Sequence, residues 1–273
     1  MKRIILFSPT GYVGSLLKKY MIENEDVELF EITRNTNLGK YYGECDVMIY
    51  SAAVTDAEPL KLIQDNVLAS ISVIDFCRRH RVKRIIYLST DSVYGEINID
   101  EVSESTIMLN PDFYGSTKYL AEKVIIESGM SYYILRLPGI VGGIWRRTYF
   151  YRLIDAACSH EPITLYNAEK EFNNVLHIND LIQFIEILCN CGKGCSEIFL
   201  LGNTEKVKLI KIVDYIKEVC NSKSVINFTS GGDKRYFTLN TNKAETYGYT
   251  SKPVWEIIDE LYSLRKTMYN AFD

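Results

Sequence analysis

The chain has 273 residues, of which 47% are hydrophobic and 24% charged, and it carries a formal charge of −4. That length can bury a sizeable core in one or two domains. The slight acidity gives no basic field for nucleic acid, and no apolar run approaches the ~20 residues that cross a bilayer, so neither nucleic acid nor membrane is expected as a partner.

The first element is Arg3-Ile4-Ile5-Leu6-Phe7, a short apolar run of the kind a buried parallel strand shows. Ser8-Pro9-Thr10-Gly11-Tyr12-Val13-Gly14 then leads into a helical segment that starts at Ser15. A turn between a strand and a helix N-terminus can hold a pyrophosphate on backbone N–H groups and the helix dipole. Gly11 would allow close backbone approach and Gly14 close packing of helix on strand, while Ser8 stands where the fingerprint has its first glycine. Taken alone, the turn fits an ordinary strand-to-helix connection equally well.

Strands are predicted at 28–33, 46–51, 84–88 and 132–136, with helices at 60–79 and 113–128 between them. A loop over 97–112 is long enough to help frame a substrate cleft. Beyond residue 142 the pattern loosens into helices at 150–158, 179–189, 209–220 and 253–268 separated by short strands. The alternation predicts an α/β chain: a Rossmann-type doubly wound parallel sheet with its ligand at the strands' carboxyl ends, plus a smaller C-terminal α/β lobe. Residues 1–142 form the expected dinucleotide-binding domain, to which 179–194 returns, and 143–273 the expected substrate-binding lobe. There is no internal repeat.

The residues with the most chemistry are Thr90, Tyr114 and Lys118. Tyr114 and Lys118 are four apart, so on a helix they share one face. A phenol titrates at about 10, and a nearby cation would draw it toward neutrality, where it can pass a proton to or from a carbonyl oxygen. Thr90 ends an apolar strand and can hydrogen-bond the same oxygen. Tyr119/Lys123, Tyr166/Lys170 and Tyr262/Lys266 have identical spacing and read as surface pairs. Tyr114 differs in lying one loop beyond Thr90, at the start of a helix rich in Ala, Glu and Lys.

Taken together, these motifs resemble the extended short-chain dehydrogenase/reductase family, the group of nucleotide-sugar epimerases, dehydratases and reductases. Thr10, Gly11 and Gly14 match its strand–turn glycines, and Asp46 to Ala53 resembles its "DVVIHLAA" strand. Asn66 matches its helical asparagine, and Leu135-Arg136-Leu137-Pro138-Gly139-Ile140-Val141-Gly142 resembles "LRPxxVYGP". Val175 to Leu181, with His177, resembles "VHVDDL". The resemblance covers residues 1 to about 268, with the matches in the family's order.

The resemblance implies Thr90, Tyr114 and Lys118 as catalytic residues. It implies Ser8, Thr10, Gly11, Tyr12, Val13, Gly14, Ala52, Ala53, Asn66, Lys118, Pro138 and Ile140 as cofactor contacts, and Asp91, Ser92 and His177 as substrate contacts. His177 fits a packed, hydrogen-bonded histidine as well, and Asp91 fits a cap of the following turn. Glu31 would favour the ribose hydroxyl of NAD and Arg34 the extra phosphate of NADP; Thr33-Arg34-Asn35 resembles the ending common in NADP-preferring relatives, so NADP is expected ahead of NAD. Arg146 and Arg147 can meet a diphosphate or remain solvated.

The dehydratases' Thr-Asp-Glu is here Thr90-Asp91-Ser92, which argues against dehydration. The expected activity is therefore reduction of a nucleotide-linked keto sugar. A nucleotide-sugar epimerase that retains NAD is the near alternative, and a non-catalytic dinucleotide sensor the distant one. Relatives dimerise through helices flanking the site, which implies a homodimer through 113–128. Met1-Lys2-Arg3 precedes a strand rather than a signal sequence, and the seven cysteines lack a framework spacing, so a reducing, cytoplasmic setting is expected. Cys189, Cys191 and Cys195 lack the paired spacing of zinc sites, and no metal site is expected.

Overall fold

The computed structural model describes residues 1–33, 36, 43–55, 57–146, 148–192, 195–229 and 235–270. The chain forms two compact units. The first comprises Met1–Gly95, Ile107–Leu137 and Ile182–Leu200; the second comprises Glu96–Thr106, Pro138–Leu181 and Leu201–Asp273.

The first unit is built on six strands: β1 (Lys2–Phe7), β2 (Val27–Ile32), β3 (Val47–Tyr50), β4 (Arg84–Thr90), β5 (Ser131–Leu137) and β6 (Glu197–Leu200). All pairings are parallel, in the order β6-β5-β4-β3-β1-β2. A sheet covered on both faces needs strands that are apolar throughout rather than alternating. Ile5, Leu6, Met48, Ile49, Ile85 and Ile86 are fully buried, and every residue of β4 is buried. The chain leaves β1 toward β2 and then crosses to β3 on the other side. The carboxyl ends of β1 and β3 therefore form the switch point where open α/β sheets bind ligands.

Tyr12–Ile22 and Phe113–Glu127 are α-helices. The expected helix over 60–79 is interrupted. An α turn at Pro59–Leu62 and a helix at Ala69–Arg79 enclose a π segment, Ile63–Leu68, which contains the buried Asn66. Such segments are uncommon and leave no periodicity that a sequence reading can register.

The second unit has its own core, in which Phe150, Ile154 and Ala157 pack with Ile212, Ile216, Ile257 and Leu261. These residues come from the helices Tyr149–Cys158, Leu209–Val219 and Val254–Asn270. The expected loop over 97–112 contains a strand, Asn98–Val102, which pairs in parallel with Tyr236–Leu239. Only Val102 of that strand is buried, so it shows no apolar alternation, and its partner lies more than a hundred residues away. Among the described residues, no helix is long and apolar enough to cross a membrane.

Candidate active site

Thr90 is the last residue of β4 and caps the 3-10 turn Asp91–Tyr94, its Oγ1 accepting from the Ser92 N–H at 3.1 Å. Asp112 caps the next helix by accepting from the Gly115 N–H at 2.6 Å, which fixes where that helix starts. Tyr114 is its second residue, and its phenol is hydrogen-bonded to the Thr90 side chain. Gly115 is what permits this approach. A Cβ there would stand 2.4 Å from the Ser92 carbonyl oxygen, so only glycine lets the helix seat on the turn.

The structure reverses one electrostatic expectation. Burial pushes the Tyr114 phenol up to about 12, opposed by the Thr90 hydrogen bond and assisted by the charges of Asp91 and Asp112. Lys118 is not a source of relief, because its ammonium is directed elsewhere. Nζ donates to the Leu88 carbonyl oxygen at 2.6 Å and lies 4.1 Å from the centre of the Tyr87 ring. Lys118 is 1% exposed, and burial lowers it to about 7 despite the favourable charge of Glu122. At neutral pH the phenol therefore carries its proton, while the lysine is poised to lose one.

Beneath these groups lies a network that the motif reading passes over. Glu122, fully buried, accepts from Ser89 Oγ at 2.5 Å and pairs with Arg136 Nη2 at 2.8 Å. Arg136 Nη1 in turn donates to the Tyr94 hydroxyl at 3.0 Å. Burial works against the charge of Arg136, but Glu122 outweighs it and holds the guanidinium protonated. The available signal was spacing: Glu122 is one helical turn beyond Lys118 and on the same face.

At the carboxyl ends of β1, β2 and β3 lies a cavity of about 750 Å³. Its walls include Ser8, Thr10 and Gly11 from the first turn, Ile32 and Thr33 at the end of β2, and Ala52 to Val54 after β3. Tyr12, Val13 and Gly14 open the helix beside it, with Gly11 as its cap. A Cβ on Gly14 would fall 2.0 Å from the Ser8 carbonyl oxygen, so this glycine is needed for helix and turn to touch. Ser8, in place of the first glycine, adopts φ 69°, the left-handed region that glycine normally fills. Asn66 accepts from the Val54 N–H and donates to the Val54 carbonyl and to Thr117 Oγ1, each at 3.1 Å. It thereby clamps the cavity wall to the helix that carries Tyr114. A volume of this size, apolar walls and a helix N-terminus fit a dinucleotide.

The remaining expected positions are distributed as follows. Glu31 pairs with Lys18 at 2.8 Å, and Arg34 and Arg147 lie outside the described residues. Asp91 and Ser92 belong to the turn beside Thr90. Pro138, Ile140 and His177 belong to the second unit. His177 is fully buried, its Nε2 is 2.9 Å from Glu260 Oε1, and its Nδ1 accepts from the Asn179 N–H, so both ring nitrogens have protein partners.

Residues 28–202 match the model of the NAD dependent epimerase/dehydratase family. Over 169 residues the chain is 28% identical to the Uncharacterized UDP-glucose epimerase YtcB of Bacillus subtilis, which covers 60% of this chain and 53% of that protein. The chain spans about half the length, or less, of the first curated relatives it matches. A UDP-Glucuronic acid 4-epimerase from Bacillus cereus, solved in complex with NAD, superposes with a TM-score of 0.84 at 19% identity, covering 98% of this chain and 99% of that one. RMD from Pseudomonas aeruginosa, complexed with NADPH, superposes with a TM-score of 0.80 at 14% identity, covering 98% and 100%. With the match extending over more than half of its length, the chain belongs to the NAD dependent epimerase/dehydratase family, a family of enzymes.

Proposed function

We propose that the chain is an NAD(P)-dependent oxidoreductase that reduces a keto group on a nucleotide-linked sugar, with Tyr114 as the general acid. The observation that carries this reading is the buried Tyr114 phenol, hydrogen-bonded to Thr90, whose burial strengthens its hold on its proton. A group with its proton firmly in place suits donation to an oxygen that is gaining charge. The first unit serves as the dinucleotide-binding domain and the second as the substrate lobe.

The cavity at the ends of β1 to β3 would hold the dinucleotide through Thr10, Gly11, Ala52 and Ala53, which line it. A reduced nicotinamide, when bound, supplies the hydride for the sugar carbon. Tyr114 delivers its proton to the developing alkoxide, and Thr90 Oγ1 holds the same oxygen in place. Lys118, bonded to the Leu88 carbonyl oxygen, ties the helix of Tyr114 to β4, and its ammonium would have to turn from that carbonyl to meet the ribose. Asp91 and Ser92 face the sugar. The cofactor is NADP through Arg34, with NAD as the alternative; the seven free cysteines favour a cytoplasmic setting. The helix 113–127 supports a homodimer through its exposed Phe113 and Leu120.

A second reading is epimerisation with a retained cofactor, favoured by the likeness to the UDP-Glucuronic acid 4-epimerase from Bacillus cereus in complex with NAD. The test is to denature the purified protein, identify any released dinucleotide, and then follow reduced nicotinamide with a UDP- or dTDP-linked 4-keto-6-deoxy sugar. Stoichiometric consumption of NADPH supports reduction. Bound NAD, with a UDP-sugar converted to its C4 epimer and no net cofactor use, replaces it with epimerisation. Dinucleotide binding without turnover of any such sugar overturns both in favour of a sensor.

A further inference from the structure

In the second unit, Cys158 is the last residue of the helix Tyr149–Cys158, and Cys220 follows the helix Leu209–Val219. Their sulfurs are 2.8 Å apart, closer than non-bonded sulfurs ordinarily approach. Both helices contribute to one hydrophobic core, with Ala157 and Ile216 packed in it beside Cys220, so the two thiols are held together by rigid elements. Cys220 is buried, whereas Cys158 is partly exposed.

We propose that Cys158 and Cys220 form a reactive dithiol site that closes to an intramolecular disulfide on meeting a small-molecule disulfide. The proposal is independent of the sugar chemistry above. The environment differentiates the two thiols. A hydrogen bond from Cys220, together with the charges of Arg265 and Lys266, lowers Cys158 to about 7 against the opposing effects of burial and Asp155. The same hydrogen bond and burial raise Cys220. Cys158 is thus the attacking thiolate and Cys220 the resolving thiol.

In the first step Cys158 Sγ attacks one sulfur of the disulfide RSSR, forms a mixed disulfide and expels RS⁻. In the second, Cys220 gives up its proton and its sulfur attacks Cys158 Sγ, breaking the mixed disulfide and expelling the second RS⁻. Two protein thiols are oxidised by two electrons, one RSSR is reduced to two RSH, and the two thiol protons end on the released thiolates. The product links the ends of two helices 62 positions apart in sequence. Closing so long a loop restricts the unfolded chain and stabilises the second unit.

The test uses the full chain, fully reduced and then exposed to oxidised glutathione. Expected are an intact mass lower by two hydrogens, a single cross-linked Cys158–Cys220 peptide after digestion without reductant, and a Tm higher by roughly 5–10 °C. Cys220→Ser should instead accumulate glutathione on Cys158. The proposal is overturned if Cys158 and Cys220 both stay alkylatable while exposed Cys195 carries the adduct, or if a disulfide maps to Cys191–Cys195. The wild-type peptide map decides the matter even where a variant fails to fold.

Discussion

Lys118 Nζ donates to the Leu88 carbonyl oxygen at 2.6 Å, which ties the helix of Tyr114 to β4 and turns the ammonium away from the phenol. The cost of that placement is electrostatic. Burial takes the lysine from its ordinary 10.5 to about 7, so above pH 7 the folded chain has released a proton that the unfolded chain keeps until about 10.5. Because the unfolded state binds more protons in that window, stability rises with pH across it. Below pH 7 both states are protonated and the full penalty of the buried charge is present. Lys118→Met should therefore be more stable than wild type at pH 6 by about 1–3 kcal/mol. That advantage should shrink as pH approaches 10. Denaturant titrations of both proteins at four pH values check it; a constant gap would mean that the charge is not buried.

Tyr114→Phe keeps the ring and removes the proton. Turnover of the keto sugar should fall by roughly 10²–10⁴-fold. Dinucleotide affinity should stay within about twofold, since the binding cavity is formed by the ends of β1 to β3 and not by this phenol. With the phenol at about 12, wild-type turnover should show no basic limb from Tyr114 below about pH 10. Parallel fluorescence titration with NADPH and a pH–rate profile provide the check.

Much of this was legible in the chain because a parallel sheet writes itself as apolar runs. β3 and β4 are continuous stretches of buried residues, β1 buries Ile4 to Leu6 in its middle, and their spacing set the positions of Thr90 and of the first turn. Three features were not legible, each for its own reason. The strand Asn98–Val102 is exposed along four of five residues and depends on a distant partner. The π segment at Asn66 changes hydrogen bonding without changing composition. The direction of Lys118 depends on which carbonyl lies within its reach, so spacing could put it on the same helix face as Tyr114 without showing that it points to Leu88.

Glu122 and Arg136 form a buried pair, with relative side-chain exposures of 0% and 3%. Truncating one partner strands the other charge in the interior, at a cost of about 3–5 kcal/mol. Glu122→Ala should lose stability on that scale. Glu122→Gln, which keeps the shape and the bond to Ser89, should lose less. The glutamine variant also removes the charge that supports protonated Lys118, so the pH window of its stability should shift to lower pH. Equilibrium unfolding of both variants, read against wild type at pH 6 and 9, separates the structural loss from the change in Lys118.

Gly115→Ala tests the seat of the helix on the turn. The added methyl would stand 2.4 Å from the Ser92 carbonyl oxygen, and backbone cannot swing aside as a side chain would. The helix start must lift, which stretches the bond between Tyr114 and Thr90. A loss of roughly 2–4 kcal/mol in stability is expected, with a fall in kcat larger than any change in KM for the sugar. Equal activity in a folded Gly115→Ala protein would show that the pairing of the two hydroxyls is not required for turnover.

Ser8 gives the opposite case, a non-glycine residue where glycine is the easier choice. Its φ of 69° places Cβ in conflict with its own backbone, at about 1–2 kcal/mol for an L-residue. Glycine removes that strain but loosens the unfolded chain, which offsets about 0.4–1 kcal/mol. Ser8→Gly should therefore stabilise the protein by roughly 0.5–1 kcal/mol, raising Tm by about 1–4 °C for a chain of this size. Ser8→Val should do the reverse and more strongly, because a β-branched side chain is poorly accommodated at positive φ. Ser8 also lines the proposed dinucleotide cavity, so the two substitutions separate conformation from contact. If Ser8→Gly gains stability yet weakens NADPH binding, the hydroxyl contributes a ligand contact that outweighs its strain. If both improve, the turn is held in shape for the cofactor by backbone alone.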